Sequence, residues 1–487
     1  MTILHKFRMY QKLQQNKSNI FADIKKEFEN IGLTKELKGN IGLGGGSGTP
    51  PMIPLDVLDA MHKASREVVT LGKYADELRD IVKDVYGDGY DTAATCTAEA
   101  ALWVTYESLF TPPLSGRGDN YRSAYIAPHE RHLHHQGGYG RPFPPKYKDI
   151  FSDRGVTAGD LGIQGKRLTN LDTLIVPLAG AKYDVHGIKY NPIPILTAVN
   201  PDKSIEKIKS TAERHLDRLA GFVSLGYDTI GYGYDIKDKD GSPKLQKLIG
   251  KTSQEYDLPY VCDNARGLPL AGTDPRKNQS DVILYSMDKA AGGPTSGLLI
   301  GKEESMVPIR KALGVHSARE GTTSSFGKAG YVTFDPGKEA LAGLVVALRK
   351  LRDSPNQIYR NVDELYKIVA DEFKKSELLS QDGVHVTKSY NGAAVEVNYA
   401  DTWKDGSMGI PIFSIEDMYA SSNLIQNGMA QGGVRPPLCY DANIFIVLGQ
   451  GNLDDNEKII PERFEVAVRG LVKTVEVISK WADLNQS

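Results

Sequence analysis

Between residues 174 and 300 the chain repeats one pattern, a short apolar or β-branched run followed by a stretch of different period. The runs fall at 174–177, 193–198, 229–233, 260–262, 282–285 and 297–300. Two intervening stretches, 204–219 and 243–256, read as helices. In the first, Ile205, Ile208, Leu216 and Leu219 keep roughly helical spacing. Strands alternating with helices predict a doubly wound α/β fold with a mainly parallel sheet. Such sheets bind ligands beyond the carboxyl ends of their strands, so chemistry is sought there.

The rest of the chain divides around this core. Residues 1–40 read as a polar arm with one amphipathic helix over 21–31. Helices are predicted over 55–69, 74–85 and 337–352. The domain reading is an N-terminal arm over 1–50, a large domain over 51–330 and a smaller α+β C-terminal domain over 331–487. Residues 111–170, rich in Gly, Pro, Tyr and His, read as an insertion.

Composition excludes several classes. At 487 residues with 40% apolar types the chain can bury a large core, so global disorder is excluded. No apolar run approaches the roughly 18–20 residues that span a bilayer. Met1 to Phe21 has no apolar stretch of the secretory kind. Cys96, Cys262 and Cys439 form neither a metal pattern nor a disulfide framework, and a cytoplasmic setting is expected. The charge balance, 59 − 61 = −2, argues against a dominant polyphosphate partner such as tRNA.

Two suggestive motifs fail. The glycines at 42–48 lack the terminal Gly-Lys-Ser/Thr of a phosphate loop, and no GxGxxG register fits. The run from His129 to His135 places Leu133 where a zinc protease needs histidine, and no third ligand is evident, so no metal site is assigned.

One ordered set of motifs carries chemistry. Leu258-Pro-Tyr-Val-Cys-Asp263-Asn-Ala265-Arg266-Gly267 is a buried strand ending in Asp-x-Ala-Arg. Asp281-Val-Ile-Leu-Tyr-Ser286-Met-Asp288-Lys289-Ala-Ala-Gly292-Gly293-Pro294 is a second strand, ending in a lysine before a Gly-Gly-Pro turn. The anchors are 289 − 263 = 26 residues apart, about one βxβ step, so adjacent strands would bring both side chains to one sheet edge. Taken singly, Asp263 is an ordinary turn or cap residue and Lys289 an ordinary surface partner of a neighbouring acid.

Together, the ordered motifs resemble pyridoxal-phosphate enzymes of the aspartate-aminotransferase fold (fold type I). The resemblance implies that Lys289 condenses with the cofactor aldehyde and that Asp263 holds the pyridinium nitrogen protonated. Ala265 would lie under the ring. Asp91-Thr-Ala-Ala-Thr95-Cys96-Thr97-Ala98-Glu99-Ala100 reads as a turn running into an apolar helix. It is similar to that fold's phosphate loop, with Cys96 in place of the usual glycine. Thr95, Cys96 and Thr97 at the helix N-terminus, with Ser286, would then hold the phosphate. The alternative is a plain N-cap by Thr95 or Thr97. Ala124-Tyr-Ile-Ala-Pro-His129-Glu-Arg-His132 occupies the slot of the ring-stacking residue, and either His132 or His129 is the candidate. Arg435, in Gly432-Gly-Val434-Arg435-Pro-Pro, resembles the clamp on the substrate α-carboxylate, and Arg266 competes for that role.

Within the fold, Ser-x-Asp-Lys-x-x-Gly-Gly-Pro followed by Ser296-Gly-Leu-Leu-Ile-Gly301-Lys302 resembles selenocysteine synthase (L-seryl-tRNA selenium transferase) and related ammonia-lyases, over roughly residues 41–350. The expectation is a PLP-dependent lyase. It would act on a small amino acid or derivative by α-proton abstraction and β-elimination, as a homodimer or larger homo-oligomer. The alternatives are a selenocysteine-synthase-like transferase on aminoacyl-tRNA, an aldolase or aminotransferase, and a cysteine desulfurase using Cys439.

Overall fold

In a computed structural model, the described residues are 9, 12–44, 52–110, 124–129, 189–194, 201–214, 216, 219–226, 228, 236–314, 334–399, 401–402, 409–411, 424–440, 443–454 and 456–483. Those within Ile53–Gly137 and Leu168–Pro355 form one compact unit, and those within Met1–Met52 and Asn356–Ser487 form another.

The first unit is built on seven strands: β1 (Tyr90–Thr95), β2 (Ala124–His129), β3 (Lys189–Pro194), β4 (Leu219–Leu225), β5 (Tyr260–Asp263), β6 (Val282–Ser286) and β7 (Gly297–Lys302). Their order across the sheet is β1-β7-β6-β5-β4-β2-β3. The pairs β2/β3, β2/β4, β4/β5 and β5/β6 are parallel, while β7 runs antiparallel to both β6 and β1. The sheet is therefore mainly parallel. The carboxyl ends of β1, β5 and β6 share one edge.

Helices α2 (Leu55–Arg66), α3 (Leu71–Tyr86), α4 (Ala98–Phe110), α5 (Pro201–Arg214), α6 (Lys244–Glu255), α7 (Glu303–Ala312) and α8 (Lys338–Asp353) belong to this unit. They follow α1 (Lys17–Phe28) of the other unit. Helix α4 starts where Thr97 caps it: the Ala100 N–H donates to Thr97 Oγ1 at 3.0 Å. Its apolar residues Ala101, Leu102, Tyr106 and Phe110 pack in one core with Val223, Val261, Leu284 and Leu299 of the sheet. Phe110 is 1% exposed and lies over Gly221, where a Cβ would overlap its ring. Burying such a ring is worth roughly 1.5–3 kcal/mol.

The other unit carries the antiparallel strands β8 (His385–Ser389), β9 (Ala394–Asn398), β10 (Leu438–Tyr440) and β11 (Asn443–Val447) in the order β10-β11-β9-β8. With α9 (Pro355–Phe373), α10 (Leu424–Gly432) and α11 (Pro461–Ala482) it makes an α+β unit. Helix α1 belongs to this core: Ile20, Phe21, Ile24 and Phe28 are buried among Met429, Phe464 and Leu471.

Several elements differ from expectation. Residues 91–95 form strand β1 rather than a turn into the helix. Ala93 and Ala94 are wholly buried, and with five successive residues buried the strand shows no alternation to read. The helix expected over 204–219 ends at Arg214, and Leu219 opens β4. All seven residues of β4 are buried, so it has no alternation to read. Strand β3 ends at Pro194, short of the run expected over 193–198. The runs at 174–177 and 229–233 lie outside the described residues. Within the stretch read as an insertion, Ala124–His129 is an interior strand of the large sheet.

Candidate functional site

The site residues come together through backbone bonds at the carboxyl edge of the sheet. Strand β5 ends in Asp263, which is 0% exposed. The Gly226 N–H beyond β4 donates to the Asp263 carbonyl at 2.7 Å, and the Ala265 N–H donates to Asp263 Oδ1 at 3.2 Å. Asn264 wedges its side chain between Gly226 and Gly267, where a Cβ on either glycine would overlap it. The Asn264 N–H reaches the Leu284 carbonyl at 3.0 Å, and the Ser286 N–H reaches the Ala265 carbonyl at 3.2 Å. The pattern of β5/β6 pairing thus continues past the strand ends and sets Asp-x-Ala beside Ser286.

Lys289 follows in a tight turn. Its N–H donates to the Ser286 carbonyl at 3.4 Å, and the Gly292 N–H donates to the Lys289 carbonyl at 3.4 Å. Gly292 has φ +67°, a conformation that favours glycine. The Gly293 N–H closes the turn on the Met287 carbonyl at 2.7 Å. Lys289 is half-buried.

On the other side of β7, Thr95 ends β1. Gly297 pairs with Thr95 across one ladder and with Ser286 across the other. A Cβ on Gly297 would overlap the Thr95 hydroxyl and the Thr97 carbonyl. Glycine at this position lets two hydroxyl-bearing strand ends pack closely at the N-terminus of α4. The Thr95 hydroxyl donates to the Thr97 carbonyl at 2.7 Å. The Cys96 N–H donates to the Phe334 carbonyl at 2.6 Å, so the loop before α4 is tied to the segment that precedes α8. The Ser286 hydroxyl donates to Asp288 Oδ1 at 2.6 Å.

The edge has what pyridoxal phosphate requires. It holds a wholly buried carboxylate, a small residue two positions on, a lysine just past the adjacent strand end, and a helix N-terminus preceded by a hydroxyl-bearing strand end. Asp263, Ala265, Ser286, Lys289, Thr95, Cys96 and Thr97 are gathered there. Arg266 is buried, three residues past Asp263. His129 ends β2, separated from β5 by β4, and its side chain lies outside the described residues, as does all of His132.

Arg435 belongs to the other unit. Its backbone is fastened to the strand-like segment at Gly42: the Arg435 N–H donates to Ile41, and the Leu43 N–H to Arg435, each at 3.0 Å. Its half-buried guanidinium has no hydrogen-bond or ion-pair partner among the described residues, and burial lowers its pKa below the ordinary value.

Cys439 is 3% exposed and its thiol pKa is raised by burial. Among the described residues no cluster of three metal-ligating side chains occurs, and no helix is long and apolar enough to cross a membrane. Motif reading quoted Asn264, Asp288 and Gly297 inside its motifs but gave them no role, and the Phe334 carbonyl, far along the chain from Cys96, carried no signal at all.

No protein-family profile matches the chain, and no curated protein matches it. Solved structures do. A chain in the complex of SepCysS with the SepCysE N-terminal domain superposes with a TM-score of 0.52 at 10% identity, covering 92% of this chain and 96% of that one. D-Glucosaminate-6-phosphate ammonia-lyase matches at 11% identity and a TM-score of 0.44, over 89% of this chain and 93% of its own. Ureidoglycine–glyoxylate aminotransferase from Bacillus subtilis matches at 12% identity and 0.47, over 88% and 95%. The large unit has the fold type I architecture of pyridoxal-phosphate-dependent transferases, as the motif resemblance implies.

Proposed function

We propose that this chain is a pyridoxal-phosphate-dependent lyase acting on a small amino acid or amino-acid derivative. The observation that carries the reading is the Ala265–Ser286 backbone bond. It sets Asp-x-Ala and Ser-x-Asp-Lys side by side at the edge where β1 delivers Thr95 and the start of α4. Bound pyridoxal phosphate supplies an electron sink for a carbanion at the substrate α-carbon.

The chain's own residues do the rest. Asp263 keeps a proton on the ring nitrogen through a charge-assisted hydrogen bond, strengthened by full burial. Ala265 leaves room beneath the ring. Thr97, the α4 amides, Thr95, Cys96 and Ser286 hold the phosphate group. Lys289 would tether the cofactor and, as a neutral amine, would take the substrate α-proton. Arg266 and Arg435 are the two candidates for the substrate carboxylate, and Arg435 brings a half-buried guanidinium without a partner among the described residues. A β-substituent would be the leaving group in this reading. A homodimer or larger homo-oligomer belongs to the same proposal.

A cysteine desulfurase is disfavoured by Cys439. Its thiol donates to the Pro437 carbonyl at 3.9 Å, is buried, and has its pKa raised by burial, the opposite of a mobile thiolate nucleophile. Transfer to aminoacyl-tRNA and transamination would share the α-proton abstraction, whereas aldol cleavage would break the Cα–Cβ bond instead, and product analysis separates all three.

The first test is the absorption spectrum of the purified chain with added pyridoxal phosphate, followed by borohydride reduction and peptide mapping. A visible band that borohydride removes, leaving an adduct on Lys289, supports the reading. Amino acids are then screened for keto-acid and ammonia release. No band, or an adduct on another lysine, overturns it.

A further inference from the structure

Three hydroxyls meet at the phosphate edge, and their protons are not equally free. Thr95 gives its proton to the Thr97 carbonyl at 2.7 Å. Thr97 accepts from the Ala100 N–H, and its own proton has no acceptor among the described residues. Ser286 gives its proton to Asp288 Oδ1 at 2.6 Å. An ionised carboxylate only accepts, so Ser286 must be the donor in that bond. A phosphate ester also asks for donors. One hydroxyl has one proton, so Asp288 and a phosphate cannot both receive it.

We propose that Asp288 is an internal competitor for the cofactor's phosphate: it holds the Ser286 hydroxyl proton, and the phosphate must displace it to be fully bound. The inference rests on the cofactor reading above and deepens it by naming what regulates retention. Asp288 is a positioning residue, since it acts on the phosphate through Ser286. Its place supports this role. It follows Ser286 by two residues, precedes Lys289, and is only half-buried, so it can swing to solvent when the phosphate arrives. Ser286 is 6% exposed and held by its backbone to Ala265, so it cannot follow. Asp288 also places a negative charge beside an anion site, which opposes a phosphate in the same direction.

The test uses the full chain stripped of cofactor and three probes: pyridoxal phosphate, unphosphorylated pyridoxal, and inorganic phosphate as competitor. Affinities are read from the visible band, and adducts are trapped with borohydride. Asp288→Ala is expected to bind pyridoxal phosphate about tenfold tighter, the scale of one charged hydrogen bond, with pyridoxal unchanged. Asp288→Asn keeps an acceptor without the charge and is expected to gain less. In a Ser286→Ala background the gain from Asp288→Ala falls to about twofold or less, because no hydroxyl is left to release. Inorganic phosphate should compete more strongly in Asp288→Ala.

An Asp288→Ala chain that binds pyridoxal phosphate equally or more weakly overturns the inference alone, as does an equal gain for both aldehydes. If Asp288→Ala fails to fold by thermal melting, Asp288→Asn decides by the same readings. No adduct on Lys289 with either aldehyde overturns the cofactor reading, and the inference with it.

Discussion

Cys262 shows how far burial changes one side chain. It lies in β5 next to Asp263, is 0% exposed, and burial pushes its thiol pKa up to about 12. Tyr86 and Tyr285 are shifted the same way, chiefly by burial. A group whose folded pKa is raised stays protonated in the native state while the unfolded chain releases its proton. Its contribution to stability is full below the unfolded pKa near 9 and is lost as pH rises toward 12. Denaturant midpoints measured from pH 8 to 11 should therefore fall. Cys262→Ala should flatten the decline by about 1.4 kcal/mol per pH unit above pH ~9. An unchanged slope would show that Cys262 titrates normally. At this scale motif reading singled out Asp263, Ser286 and Lys289 because each sits at a fixed offset from an apolar run. It passed over Gly297, whose need to be glycine comes from Thr95 and Thr97, about 200 residues away in sequence.

At the scale of elements, α1 is the clearest case. Its charged residues suggested a polar arm, and its apolar stripe of Ile20, Phe21, Ile24 and Phe28 is what decides its place. Helices α10 and α11 offer it glycines. A Cβ on Gly428 would come within 2.6 Å of Ile24, one on Gly432 would overlap the Phe28 ring, and one on Gly470 would come within 3.1 Å of the same ring. Trp481 Nε1 of α11 donates to Asp23 Oδ2 at 2.9 Å, and Arg469 Nη1 to the Ile31 carbonyl at 2.9 Å. Phe28→Ala should cost about 3–5 kcal/mol in urea denaturation. Gly432→Ala should cost about 1–3 kcal/mol by overpacking, although alanine favours a helix. The double variant should cost less than the sum of the two, because removing the ring makes room for the methyl. Additive losses would refute the packing argument. Asp91 makes the same point inside the sheet: wholly buried at the start of β1, it takes Arg79 Nε at 2.9 Å and also pairs with Arg310.

At the scale of the whole molecule, the proposed cofactor residues Thr95, Asp263, Ser286 and Lys289 belong to one compact unit. A ligand that binds only the folded state stabilises it by mass action, about 2.7 kcal/mol at a hundredfold excess over its dissociation constant. Pyridoxal phosphate should raise the thermal midpoint of the purified chain, and Asp263→Ala should shrink that shift. Hydrogen exchange should slow most in β5, β6 and the first turn of α4. A midpoint indifferent to pyridoxal phosphate would contradict the assignment of the sheet edge. By itself the sequence determined the class of fold, the helices with a strong apolar stripe and the ordered Asp-x-Ala and Ser-x-Asp-Lys motifs. These are local patterns of period and spacing, which a linear string preserves. Only the tertiary structure decided that 90–95 and 219–225 are strands, that α1 joins the second core, and that Ser286 gives its proton to Asp288 beside Gly297. Those outcomes depend on which backbone groups and side chains meet in space, as Thr95 meets Gly297 from the far end of the sheet-forming segment, and packing sets that.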